Sequence, residues 1–257
     1  MASVSASIES DPLLAEVLAR MGRPKRVVRP HQRFEGDYLE TPQGRIAYES
    51  EGHGLPVLLV HGWEGSPRDF SHLKPALVQA GARVVTFDLP GHGFSDGELL
   101  TLDAAGAAIA ALDAREGPFA AIIAHSFGCP STVKALEAGV KTGALVFFAP
   151  PASQEEQFRR HAPKFGLSAD QIDMLVAHLK THHPERINNN LAVAAAGRSE
   201  PLLIIHADDD EMTPLSGGQA VAAAWKGAKL LVAEGLGHNL ALRDAAMVGA
   251  AVRFALG

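Results

Sequence analysis

The sequence predicts an α/β fold: a mainly parallel, twisted sheet of about eight strands with helices on both faces. Short apolar runs of four to six residues recur along the chain, and most are separated by longer segments whose apolar residues have helical spacing. That alternation is the pattern of parallel strands joined by crossover helices. Size agrees, because 257 residues with 47% hydrophobic and 20% charged content can bury the core of one large domain.

The elements follow in order. Residues 1–33 combine a short helical pattern (Leu13, Leu14, Val17, Leu18) with a basic stretch from Arg23 to Arg33 broken by Pro24 and Pro30, and are expected to form an N-terminal extension packed on, or loosely attached to, the main domain. Segments 34–40 and 45–50 flank the turn Thr41-Pro42-Gln43-Gly44 and predict a β-hairpin. Six buried strands are expected at 57–60, 83–87, 119–124, 144–148, 202–206 and 229–233. Helices are expected at 69–80, 103–115, 127–138, 216–225 and 240–254. From Pro150 to about Gly197 no strand pattern occurs, and polar helical text such as 169–180 replaces it. Residues 151–197 are therefore expected to form a small helical cap inserted into a core of 34–150 and 198–257. The cap's five basic residues (Arg159, Arg160, Lys164, Lys180, Arg186) are matched by five acidic ones (Glu155, Glu156, Asp170, Asp173, Glu185), giving no net sign to steer a charged substrate.

Bulk properties exclude several functions. A net charge of -6 and a pI near 6.0 lack the basic excess of a nucleic-acid binder, which favours a small-molecule partner. The single Cys129 has no disulfide partner within the chain, and no repeated Cys/His spacing of a zinc site accompanies it. Cys129 is expected to pack in the core. Early acidic residues (Glu9, Asp11, Glu16) and short apolar stretches fit neither a signal segment nor a membrane span, so cytoplasmic residence without membrane association is the expectation.

The chemistry centres on Ser126 in Ala124-His125-Ser126-Phe127-Gly128. The serine follows an apolar strand and precedes a helix, so it sits on a sharp turn whose apex is strained by about 1–3 kcal/mol and whose close chain approach requires small residues two positions to either side. Ala124 and Gly128 meet that need. The turn also places Ser126 where unpaired helix N–H groups favour developing negative charge. Taken alone, the motif serves a helix N-cap as well as a nucleophile. His61-Gly62-Trp63 follows another strand, where a loop can aim a backbone N–H at an oxyanion above the strand ends; Trp63 and Phe127 are the two expected donors, with His61 holding the loop. Asp88, His92 and Asp96 are expected to organise the loop after the 83–87 strand. His178, His182 and His183 could share a helical face, but they lack the carboxylate partner of a metal motif and fit a solvated surface.

Together the hairpin, the His61-Gly62-Trp63 loop, the stretch Asp88-Leu89-Pro90-Gly91-His92-Gly93-Phe94-Ser95 and the Ser126 turn resemble the α/β-hydrolase family, over nearly everything after residue 33. Ala124 departs from that family's usual glycine and tightens the turn slightly. The resemblance implies a catalytic acid after a late strand, four residues before a proline, which among Asp208, Asp209 and Asp210 selects Asp210 ahead of Pro214. It implies a histidine after the last strand, which is His238, and so the chain order serine, acid, histidine.

The implied reaction has Ser126 attacking a carbonyl carbon, His238 accepting its proton, Asp210 orienting the imidazole, and Trp63 and Phe127 N–H groups binding the oxyanion. Water then releases the acyl group, and no metal or organic cofactor is needed. The expected activity is hydrolysis of a carboxylic ester of a small, mostly uncharged substrate. Carbon–carbon bond hydrolysis and thioester hydrolysis use the same residues, and a non-catalytic ligand-binding protein could keep them. Related dehalogenases and epoxide hydrolases carry aspartate where Ser126 stands, which argues against both reactions. The cap is expected to set specificity, and the sequence is silent on oligomeric state.

Overall fold

In the computed structural model, residues 8, 10–25 and 33–257 are described. The strands are β1 (Asp37–Thr41), β2 (Gly44–Gly52), β3 (Pro56–Val60), β4 (Arg83–Phe87), β5 (Ala121–His125), β6 (Ala144–Phe148), β7 (Leu202–Ala207) and β8 (Lys229–Ala233). They form one eight-stranded sheet in the order β1-β2-β4-β3-β5-β6-β7-β8. The hairpin β1/β2 is antiparallel and joins β4 antiparallel, while every other pairing is parallel.

The period-two geometry of a strand splits the core into two layers. Leu58, Val60, Ile122, Phe147 and Ile204 point to one face, where they meet Ile109, Val133 and Trp225. Their neighbours Val57, Leu59, Ile123, Val146 and Ile205 point to the other and meet Leu73, Leu77, Val248 and Ala251. The covering helices are α2 (Leu73–Gln79) and α9 (Ala245–Leu256) on the second face, with α3 (Leu102–Glu116), α4 (Gly128–Glu137) and α8 (Leu215–Ala224) on the first. Because both faces are covered, the central strands read as continuous apolar runs with no polar alternation.

Between β6 and β7 the chain forms α5 (Gln154–His161), α6 (Ala169–His182), the short α7 (Leu191–Ala194) and two 3-10 turns. The extension's helix α1 (Pro12–Arg20) packs on this segment and not on the sheet: Ile8, Leu14 and Val17 share a third apolar cluster with Ala162, Ile172, Leu175 and Leu179. Asp11 caps α1 through the Leu13 and Leu14 N–H groups, and its other oxygen accepts from Gln171 Nε2 at 2.8 Å. Of the basic stretch from Arg23 to Arg33, residues 26–32 lie outside the described residues.

Several element boundaries differ from the sequence reading, among them the first hairpin strand, which begins at Asp37 and not at 34, and three others show a local cause. The helix expected from 240 is a 3-10 turn (Leu240–Leu242) followed by a fresh start at α9, because the Asp244 carboxylate accepts from the Ala246 and Met247 N–H groups and caps a new helix there. The helix expected from 69 divides likewise into a 3-10 turn (Pro67–Phe70) with a Ser66/Asp69 capping box, then α2. The fifth strand begins at Ala121 and runs on to His125, with the Phe119 N–H donating to Asp113 Oδ1. Among the described residues no helix is long and apolar enough to cross a membrane.

Candidate active site

The strand order dictates where a site can form. From β3 the chain goes to β4 on one side, and β5 then pairs with β3 on the other, so the loops leaving the carboxyl ends of β3 and β5 diverge and open a crevice. A cavity of about 430 Å³ lies there, lined by Trp63, Ser126, Met212, His238, Leu240 and Arg243 among others.

Ser126 forms the turn between β5 and α4 with φ of 50°, in the left-handed region that a β-carbon disfavours. Its N–H donates to the Phe148 carbonyl at 2.9 Å, which anchors the turn to β6. Gly128 shows why a small residue is needed: a Cβ there would stand 2.5 Å from the Val60 carbonyl oxygen and 2.8 Å from that of His61. The helix can therefore approach the end of β3 closely only without a side chain at this position. Cys129 is fully buried beside the turn, with Sγ directed at the Ala124 and Phe148 carbonyls, and burial pushes its thiol well above the usual range. It is packed in the core, as expected.

The loop after β3 is held by two neutral histidines. His61 Nε2 accepts from the Leu89 N–H at 3.0 Å, and its Nδ1 donates to the Gly62 carbonyl at 2.8 Å. His92 accepts the Glu64 N–H at Nε2 (3.0 Å) and is 3.1 Å from the Pro90 carbonyl at Nδ1. Between these anchors a Gly65 N–H bond to the Gly62 carbonyl closes the turn, with Glu64 at φ of 53°. Gly62 rests against Ser126, since a Cβ on it would be 3.1 Å from the serine Cβ. The rings of Trp63 and Phe127 meet edge-on at 6.1 Å. Among the described residues, neither the Trp63 nor the Phe127 N–H is engaged by another protein group.

Asp88 and Asp96 organise the loop after β4 as the sequence suggested. Asp88 Oδ2 accepts from the Phe94 N–H, and Asp96 pairs with Arg45.

The three consecutive aspartates after β7 all grip the His238 loop, each at a different residue. Asp208 accepts the Gly235 N–H (2.9 Å), Asp209 the Gly237 N–H (2.7 Å), and Asp210 Oδ2 binds His238 Nδ1 at 2.7 Å. Only Asp210 of the three is buried. Its Oδ1 accepts the Met212 and Thr213 N–H groups, at 2.9 and 2.8 Å. Burial opposes its charge, but the imidazoles of His206 and His238 and the Thr213 N–H outweigh that and hold the carboxyl well below the usual range. The pairing makes His238 Nδ1 the donor and leaves Nε2 as the ring's acceptor.

Two histidines that the sequence reading passed over stand here. His206 is fully buried on β7, 2.7 Å from the Thr213 carbonyl at Nε2, and so fixes the far end of the aspartate loop. His125 ends β5 and reaches the His238 carbonyl with Nε2 at 3.0 Å. The available signal was an ionisable residue closing each of two otherwise apolar runs. The segment 151–197 supplies none of the cavity's described lining. Its contribution is to brace the aspartate loop, through Gln157 Nε2 to Thr213 Oγ1 (3.4 Å) and His161 Nε2 to the Met212 carbonyl (3.2 Å). The His178 ring packs tilted against that of His182 with centroids 4.6 Å apart on α6, and no group suited to hold a metal ion is present among the described residues.

Comparison with known proteins gives the same picture of the fold. Residues 57–251 match the model of the "Alpha/beta hydrolase family". A stretch of 62 residues is 34% identical to the AB hydrolase superfamily protein YisY of Bacillus subtilis (strain 168), covering 24% of this chain and 23% of that one, so the match spans about a quarter of that relative's length. Among solved structures, the esterase RhEst1 from Rhodococcus sp. ECU1013 superimposes with a TM-score of 0.68 at 19% identity, over 85% of this chain and 97% of that one. The N-acyl homoserine lactone degrading enzyme Est816 gives 0.68 at 19% identity, over 84% and 99%. At such identities the structural likeness speaks for the fold alone. The family match covers most of the sheet and both loops of the crevice, and the chain belongs to the alpha/beta hydrolase family.

Proposed function

We propose that this protein is a serine hydrolase that cleaves a carboxylic ester of a small, mostly uncharged substrate through an acyl-enzyme. One observation carries the reading: Ser126, at a strained turn, lines the same cavity as His238, whose Nδ1 is bound to the buried carboxylate of Asp210. The tautomer that Asp210 imposes leaves His238 Nε2 free to take the Ser126 Oγ proton as Oγ bonds to the carbonyl carbon. The resulting imidazolium is stabilised by Asp210, and the oxyanion by the Trp63 and Phe127 N–H groups at the α4 end of the crevice. His238 then returns the proton to the departing alcohol, and the same base activates a water that releases the acid and regenerates Ser126.

The cavity wall supports an apolar acyl or alcohol group. Trp63, Met212 and Leu240 are large apolar side chains left exposed on this molecule, and all three line it. Its charged neighbours Glu64, Asp69 and Arg243 carry both signs, which gives no preference for a strongly charged substrate. Esterases among the structural neighbours are consistent with this chemistry. The test is p-nitrophenyl ester hydrolysis with fluorophosphonate labelling. Ser126→Ala should lower turnover by about 10⁴-fold and abolish labelling. A variant that retains near-normal turnover would overturn the assignment, and a folded wild type that neither turns over nor labels would instead fit a ligand-binding protein.

A further inference from the structure

We propose that His125 is a positioning residue: its Nε2–H, bonded to the His238 carbonyl, locks the loop carrying the base to the turn carrying the nucleophile. The inference rests on the serine-hydrolase reading above. His125 precedes Ser126 directly, is 4% exposed, and packs its ring on that of His238 with centroids 4.7 Å apart at 48°. Nε2 lies 3.0 Å from the His238 carbonyl oxygen. Since a carbonyl can only accept, the ring proton belongs on Nε2.

The other ring nitrogen reinforces this. Nδ1 of His125 is buried with no partner among the described residues, and it faces the Gly62 backbone, where a Cβ would stand 3.3 Å away. Burial, and then the nearby His238 ring, hold the imidazole neutral by lowering its pKa to about 3. A buried nitrogen without a partner is a standing penalty that leucine, methionine or phenylalanine would avoid. The compensation is the bond at Nε2. That bond does what no other hydrogen bond described for the loop does: the three aspartates tie the His238 loop to the end of β7, whereas His125 ties it to the end of β5, one residue from Ser126. The loop itself follows β8, an edge strand, and is partly open to solvent. Its alignment with Ser126 therefore depends on both anchors.

The experiment compares His125→Met with His125→Gln, whose amide N–H can reach the position of Nε2. With p-nitrophenyl acetate, H125M should lose about 10- to 100-fold in kcat, as a misplacement of about 1 Å does, with KM within about threefold. Fluorophosphonate labelling of Ser126 should slow in parallel. H125Q should recover most of both rates. A folded H125M with kcat within about twofold of wild type, or an H125Q no better than H125M, overturns the inference. Should H125M not fold, the imidazole ¹⁵N shifts of the wild-type protein decide: protonated Nε2 with bare Nδ1 supports the bond, and the opposite tautomer overturns it. Ser126→Ala in the same assay separates the two levels. Undiminished turnover there withdraws the serine reading and this inference with it, whereas an inactive S126A beside a fully active H125M withdraws this inference alone.

Discussion

Lowering the pH from 7 to 5 offers two protons that the unfolded chain accepts and the folded one refuses, at His61 and His125. Both imidazoles are buried and neutral, and burial, followed by the proximity of His92 to the first and His238 to the second, lowers each pKa to about 3. In the unfolded chain each returns to about 6.5. The folded pKa lies below the unfolded one, so the unfolded state binds more protons between those values and stability falls as pH falls. For one such group the loss between pH 7 and pH 5 is about 2 kcal/mol, and for the pair about 4 kcal/mol, with a limiting slope of about 1.4 kcal/mol per pH unit each. That is a large share of a typical stability of about 5–15 kcal/mol. Asp210 acts in the same direction at lower pH: its depressed carboxyl adds stability that is lost only as pH falls below about 4. Urea midpoints at pH 7, 6 and 5, followed by circular dichroism, measure the effect. His125→Gln, which removes one titrating ring and keeps a donor, should halve the decline. A midpoint that stays flat from pH 7 to 5, or an H125Q decline as steep as that of wild type, would refute the reasoning.

Two further substitutions test the packing that positions the site. Gly128→Ala puts a methyl group 2.5 Å from the Val60 carbonyl oxygen, so α4 must move off β3, with a loss of about 1–3 kcal/mol and at least tenfold slower labelling of Ser126; wild-type midpoint and labelling would contradict this. Trp225→Ala removes a fully buried indole that packs edge-on to Phe147 and donates Nε1–H to the Glu200 carbonyl, and should cost about 3–5 kcal/mol in urea denaturation while the labelling rate of the folded protein is unchanged.

Most of the sheet was legible because its strands are buried on both faces, so 57–60, 83–87, 144–148 and 202–206 stand out as unbroken apolar runs. Helix ends were less so. The apolar spacing after Asn239 continues through a break that only the Asp244 cap reveals, and that cap is one residue in a stretch otherwise suited to a helix. At the site, Ser126 was legible in its strand-to-helix turn and His238 through the chain order that the family resemblance implies, and each follows a parallel strand, which puts both at one end of the sheet. The roles of His125, His206 and His92 lie in bonds to residues 113, 7 and 28 positions away. Such partners leave no periodic trace in a sequence. Nor does the charge balance of 151–197 report on the cavity, since the cavity's described lining comes from the loops of the sheet instead.

In the sequence only the family spacing to Pro214 sets Asp210 apart from Asp208 and Asp209, and their separation in space makes the sharpest remaining test of the proposed mechanism. All three accept from the same loop, so a purely structural account predicts graded, similar losses from each. The geometry predicts a split. Asp208 and Asp209 are exposed and hold backbone N–H groups of Gly235 and Gly237; converting either to alanine removes one hydrogen bond that water can partly replace, for about 0.5–1.5 kcal/mol of stability and a few-fold loss in kcat. Asp210→Asn keeps the size and the burial but offers His238 Nδ1 an amide in place of a carboxylate. Either the amide oxygen keeps the tautomer without the charge that stabilises the imidazolium, or the amide NH₂ turns toward the ring and enforces the wrong tautomer. In both cases the loss falls on the chemical step, by up to about 10⁴-fold in kcat with little change in KM. Equal effects of the three substitutions on kcat would show that the aspartates merely shape the loop, and the assignment of Asp210 as the partner of the base would fall.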